Sequence, residues 1–311
     1  MTILFLAAAF ALGVLYAYRV AFRSPDSVQN DVFNIPNTEQ YQQQRDVMYR
    51  MIRDMDAVPC RRVTVRSRDG LTLSARYCHQ ADGVPMAICF HGYRGTSIRD
   101  FCGGGQLCLS HGHNLLLVDQ RAHGESEGHV ITFGIRERFD CLSWIRWAEE
   151  QGAPAILLYG ISMGGATVLM AAGEALPPTV RAVIADSPYS SPEAIIAKVS
   201  RDRRLPPVLA MPLIRTAARV LGGFSLSERT AADAVRNTDL PILIIHGEDD
   251  RFVPCEMSAE IAAANPSIRR CTFPGAGHGI SYMKDTPRYH ALVNGFLAEV
   301  LGSSPDTTSP Q

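Results

Sequence analysis

Five short, largely apolar runs punctuate the middle of this chain, at residues 86–90, 114–119, 155–159, 180–185 and 241–245, with 270–273 as a candidate sixth. A strand with one wet face alternates apolar and polar side chains, whereas a run without alternation is buried on both faces, as in a parallel sheet covered by helices. Helical stretches at 136–150 and 167–174 separate the runs. Strand–helix alternation of this kind specifies an α/β domain with a mostly parallel, doubly wound sheet. Upstream, residues 62–66 and 71–77 flank Asp69-Gly70 and predict a hairpin. The alternation stops between 189 and 237, where two proline-containing helical patterns replace strands. An insertion so late in a doubly wound sheet is expected to lie over the strand ends where ligands bind, as a helical lid.

Residues 3–18 are apolar without interruption, and about 20 apolar residues suffice to span a bilayer. Residues 1–23 therefore read as an N-terminal membrane anchor; a signal peptide or a helix docked on the soluble domain are the competing readings. Arg19 and Arg23 follow the apolar run, which by the positive-inside rule places the main domain on the cytoplasmic side. A chain starting near Ser24 is expected to be soluble and active. Within residues 24–57, the apolar positions Tyr41, Val47, Met48, Met51, Ile52 and Met55 predict one amphipathic helix packed on the core. The main domain covers 58–301, and residues 302–311, rich in Ser, Pro and Thr, are expected to be a disordered tail. A formal net charge of −1 with scattered basic residues gives nucleic acid no purchase. The eight cysteines lack the paired spacing of a metal or redox site, so no metal is implied and reduced thiols are expected.

The run at 155–159 ends in Gly160-Ile161-Ser162-Met163-Gly164 and a helical stretch begins at once. This is a nucleophile elbow in its required context, a strand turning sharply into a helix. His91-Gly92-Tyr93-Arg94-Gly95 follows the run at 86–90, and Asp119-Gln120-Arg121-Ala122-His123-Gly124 follows that at 114–119. Further on stand His246-Gly247-Glu248-Asp249-Asp250-Arg251-Phe252-Val253-Pro254 and Gly275-Ala276-Gly277-His278-Gly279.

Together these segments resemble the α/β-hydrolase superfamily over about residues 58–301, and most closely its membrane-anchored members with a His-Gly-Tyr oxyanion loop and a small helical lid. The departure is Ala122, where the family usually has glycine. The resemblance implies a catalytic triad of Ser162, Asp250 and His278, with the backbone N–H groups of Tyr93 and Met163 forming the oxyanion hole. Rival assignments are His123 for the base, and Asp249 or Asp186 for the acid. His91 and His246 are expected to satisfy backbone groups, and the His111/His113 pair has no third ligand nearby.

The expected activity is cleavage of carboxylic esters of short to medium acyl chains through an acyl-enzyme, with no cofactor. The same triad serves a peptidase, amidase or thioesterase, and a catalytically silent binding scaffold is the alternative outside enzymes. Apolar residues of the lid, 205–224, are expected to line the approach to Ser162. The arginines at 201, 203 and 204 are read as a solvated face, and the sequence carries no signal for oligomeric state.

Overall fold

The computed structural model describes residues 2–24 and 31–302; the tail expected at 302–311 lies, beyond its first residue, outside the described residues. Eight strands form one sheet: β1 (Arg61–Arg66), β2 (Thr72–Cys78), β3 (Met86–Phe90), β4 (Asn114–Asp119), β5 (Ile156–Ile161), β6 (Val180–Asp186), β7 (Ile242–Gly247) and β8 (Arg269–Phe273). Their spatial order is β1-β2-β4-β3-β5-β6-β7-β8. β2 runs antiparallel to β1 and β4, and all later pairings are parallel. Every residue of β3 is buried. Met86, Ile88 and Phe90 enter one core layer while Ala87 and Cys89 enter the other, so the unbroken apolar run is the signature of two covered faces. The chain order reverses around β3, and the loops after β3 and β5 part to leave a crevice above the sheet.

Four expectations change in the structure. Residues 38–56 form two helices, α2 (Glu39–Gln43) and α3 (Arg45–Asp56), broken at Gln44 with φ −102° and ψ 3°. The break lets Met48, Ile52 and Met55 of α3 enter the core while α2 turns toward the strand ends. Second, Cys60 and Cys78 are joined as a disulfide across the β1–β2 pair, where reduced thiols were expected; Cys89, Cys102, Cys108 and Cys141 are free and buried.

Third, the apolar N-terminal segment forms a 20-residue helix, α1 (Thr2–Ala21), whose second half is packed on the domain. Val14 and Phe22 are buried, and Gly13 lies against Leu213. Phe22 meets Phe133 and Phe224 edge-on, with ring centroids 5.9 and 5.3 Å apart, and the Phe22 carbonyl accepts from Ile131 N–H at 2.7 Å. A chain cut at Ser24 would therefore lose part of the folded core. Last, the insertion between β6 and β7, with helices at Pro192–Asp202 and Pro207–Thr216 and a π-helical turn at Ala217–Leu221, packs against α1. None of its residues lines the cavity in the crevice.

Candidate active site

Ser162 sits between β5 and the helix Met163–Ala171 with φ 55° and ψ −113°, a left-handed conformation that costs a non-glycine residue on the order of 1–3 kcal/mol. The surroundings enforce it. A Cβ on Gly164 would lie 1.7 Å from the Phe90 carbonyl oxygen, and one on Gly160 2.2 Å from the Gly164 carbonyl oxygen. Only glycine at both positions allows the turn to close, and the closed turn holds Ser162 at the C-terminal edge of the sheet. The Ser162 N–H is bound by the Asp186 carbonyl at 2.8 Å, which fixes the elbow to β6.

The loops after β7 and β8 deliver the partners. His278 Nε2 lies 2.9 Å from Ser162 Oγ, and His278 Nδ1 lies 2.7 Å from Asp250 Oδ2. The other carboxylate oxygen of Asp250 accepts from the N–H groups of Phe252 and Val253 at 2.9 and 2.8 Å. Burial alone would raise the Asp250 pKa, but His278 and His246 hold the carboxyl well below its usual range. Burial likewise disfavours the His278 cation, yet Asp250 outweighs it and raises the imidazole above its ordinary value. An ionised carboxylate that orients Nδ1–H leaves Nε2 free to take the serine proton.

The rivals fall to other tasks. Asp249 is exposed, and Asp186 accepts from the hydroxyls of Ser187 and Tyr289, with burial pushing its pKa up to about 6. His123 is buried, its Nε2 accepts from Arg94 N–H at 3.0 Å, and burial pushes its pKa down to about 3. His91 contacts the Gly92 carbonyl through Nδ1 and accepts from Gln120 N–H through Nε2. His246 Nε2 donates to the Val253 carbonyl, and the stacked His111 and His113 rings belong to no metal-binding cluster among the described residues.

In the loop after β3, Gly92 N–H is engaged by Asp100 at 2.7 Å and Arg94 N–H by His123. Between them the Tyr93 N–H has no protein acceptor among the described residues, and neither has that of Met163. Ala122 adopts φ 61°, so the turn keeps a glycine-like geometry despite its side chain.

A cavity of about 710 Å³ opens above Ser162 and His278. Its wall includes Pro36, Gln40, Tyr41, Met48 and Met51, together with Phe252, Tyr282 and Met283. No residue of 189–237 lines it, which corrects the expectation that 205–224 form the approach. Sequence reasoning missed the segment at 36–51, whose methionines read as ordinary core. Gln40 Nε2 donates to the Asp249 carbonyl, and Tyr41 closes over Gly279, contacts between segments more than 200 residues apart that no local pattern encodes.

Residues 87–209 match the family model described as alpha/beta hydrolase fold. The chain has the α/β-hydrolase fold. A solved Pyrococcus furiosus esterase, Pf2001, superposes with a TM-score of 0.65 at 21% identity, covering 80% of this chain and 94% of the esterase. Protein YqkD of Bacillus subtilis is 26% identical over 195 residues, 61% of this chain and 64% of YqkD. The thiohydrolase aneE of Aspergillus aculeatus is 30% identical over 148 residues, 46% of this chain and 44% of aneE. The chain thus spans less than two thirds of the length of these two curated relatives.

Proposed function

We propose that the protein is a serine hydrolase that cleaves carboxylic esters of short to medium acyl chains. The observation that carries this reading is the hydrogen-bonded line from Ser162 Oγ through His278 to Asp250, with Ser162 opening on the cavity. A hydroxyl is a weak nucleophile, so His278 Nε2 takes its proton as Oγ bonds to the ester carbonyl carbon. The negative charge that develops on the carbonyl oxygen meets the N–H groups of Tyr93 and Met163, each worth about 3 kcal/mol in sites of this kind. His278 then hands the proton to the departing alkoxide, leaving an acyl-Ser162. Water, deprotonated by His278, attacks that acyl group and releases the acid and the free serine. The route calls on no cofactor.

The chain-length preference rests on the Met, Tyr and Phe side chains along the cavity wall, where each buried methylene contributes about 0.8 kcal/mol. The test is a panel of p-nitrophenyl esters. kcat/KM should climb from acetate to hexanoate or octanoate, and a steady fall after acetate refutes the apolar cavity. A second reading, thioester hydrolysis, draws on the similarity to the thiohydrolase aneE; acyl thioesters in the same panel separate the two.

The described residues include one helix window, Leu4–Ala21, long and apolar enough to cross a membrane. We read it as an anchor, with Arg19 and Arg23 favouring a cytoplasmic catalytic domain. The Cys60–Cys78 disulfide pulls the other way, since such bonds persist in oxidising compartments. Alkylation of native membranes decides between them: reactive Cys60 and Cys78 place the domain inside, and a protected pair places it outside.

A further inference from the structure

A helix rises 1.5 Å per residue and a bilayer's hydrocarbon core is about 30 Å thick. In α1 the stretch that stands clear of the domain is residues 2–12, about 16 Å long, roughly one leaflet. The rest of the apolar window, from Gly13 onward, is packed along one face, with Gly13 against Leu213, Val14 buried, and Ala17, Tyr18 and Ala21 against the core, while Leu15 and Tyr16 stay exposed. Whatever depth the whole apolar window reaches, the elements packed on its second half reach it too. Those elements are the insertion helix Pro207–Thr216 and the turn Ala217–Leu221.

Their outer surface has the composition such a position requires. Val208 is 79% exposed, Leu209 68% and Val220 71%, values that match Leu4, Phe5 and Leu12 on α1 itself. A soluble face seldom leaves several large aliphatic side chains this open beside an apolar helix, and exposed apolar surface of this kind marks an interaction site. Arg201, Arg203 and Arg204 stand exposed just before the helix, where long cationic side chains reach the headgroups while apolar neighbours sit deeper.

We propose that the membrane-binding surface of this protein is composite: α1 and the insertion helix Pro207–Thr216 with its following turn enter the same leaflet, Val208, Leu209 and Val220 lying at the boundary of headgroups and acyl chains. The occupant of the exposed insertion face is thus the bilayer. This rests on the anchoring of α1 and assigns to the insertion a docking role in place of a lid over the cavity.

The test uses the full chain reconstituted in vesicles of phosphatidylcholine and phosphatidylglycerol. An environment-sensitive fluorophore is attached at Leu209→Cys, Val220→Cys, Phe10→Cys or Ala298→Cys, the unsubstituted chain supplying the background of native thiols. Ala298 is exposed on the helix Thr286–Gly302, which packs on the opposite face of the sheet. Ester hydrolysis by each labelled variant reports that it is folded. Spin-labelled lipid should quench emission at 209 and 220 as it does at 10, and leave 298 bright. Quenching at 10 with 209 and 220 as bright as 298 overturns the composite surface and leaves the anchor standing. No quenching at any position overturns the anchor and the composite surface together. Concentration-dependent crosslinking through Leu209→Cys, without quenching there, makes the occupant a second copy of the chain and also overturns the proposal.

Discussion

Removing residues 1–23 should damage catalysis as well as membrane binding, because the end of α1 is clasped by the loop that carries Tyr93. Tyr93 Oη donates to the Ala21 carbonyl at 2.9 Å, and Arg94 Nη2 donates to the carbonyls of Val20 and Arg23 at 2.9 and 3.0 Å. Those three bonds and the one from Ile131 N–H to the Phe22 carbonyl are each worth about 1 kcal/mol net. Burial of Phe22 adds about 1.5–3 kcal/mol, and its edge-on contacts with Phe133 and Phe224 about 0.5–1.5 kcal/mol each. The total, on the order of 6.5–10 kcal/mol, is comparable to the whole stability of an ordinary domain, about 5–15 kcal/mol. Deleting residues 1–12 removes none of these contacts. The comparison is therefore between two truncations, assayed by thermal melting and by p-nitrophenyl ester turnover. The chain lacking 1–12 should melt and turn over as the full chain does, whereas the chain lacking 1–23 should melt far lower and lose kcat. Tyr93→Phe isolates one bond: the ring keeps its stack on Phe133, 5.1 Å away, and the N–H stays, so stability should fall by about 1 kcal/mol and kcat by a few fold. Wild-type kcat and melting in the chain lacking 1–23 would refute the clasp.

Ser162→Ala should abolish fluorophosphonate labelling and cost at least about a thousandfold in turnover; full labelling would put the nucleophile elsewhere. Asp250→Asn should cost about 10⁴-fold in kcat with Asp249→Asn near wild type, since only Asp250 bonds His278, and the reverse pattern would refute that assignment. His278 must be neutral to accept the serine proton, and Asp250 raises its pKa. The acid limb of kcat/KM should therefore lie above the ordinary imidazole range, and it should move to lower pH in whatever activity Asp250→Asn retains. An acid limb unmoved in Asp250→Asn would show that another group titrates there.

Much of the fold was legible because its signals are local. Unalternating apolar runs mark strands covered on both faces, and β3 is buried along its whole length, as its five residues imply. The elbow at Ser162 is also a local object: two glycines, a strand before and a helix after suffice to define the turn, and the strained backbone follows. The loops carrying Asp250 and His278 were legible through their resemblance to known motifs, and their order along the chain matches the sheet order that brings them together.

Other features depend on pairs of segments distant in sequence, and only the tertiary structure decided them. Residues 38–56 read as an amphipathic helix and the insertion at 189–237 as proline-containing helical patterns, and such patterns indicate helices without telling what they meet. Folded, the first segment walls the cavity, with Gln40 reaching the Asp249 carbonyl, and the second packs on α1 instead. The apolar run at the N-terminus has the composition of a free anchor, yet Phe22 is fully buried in the core because Phe133 and Phe224, more than 100 and 200 residues away, form its socket. Hydrophobic burial is non-directional, so composition fixes that such side chains will be covered, and chain topology alone fixes by what.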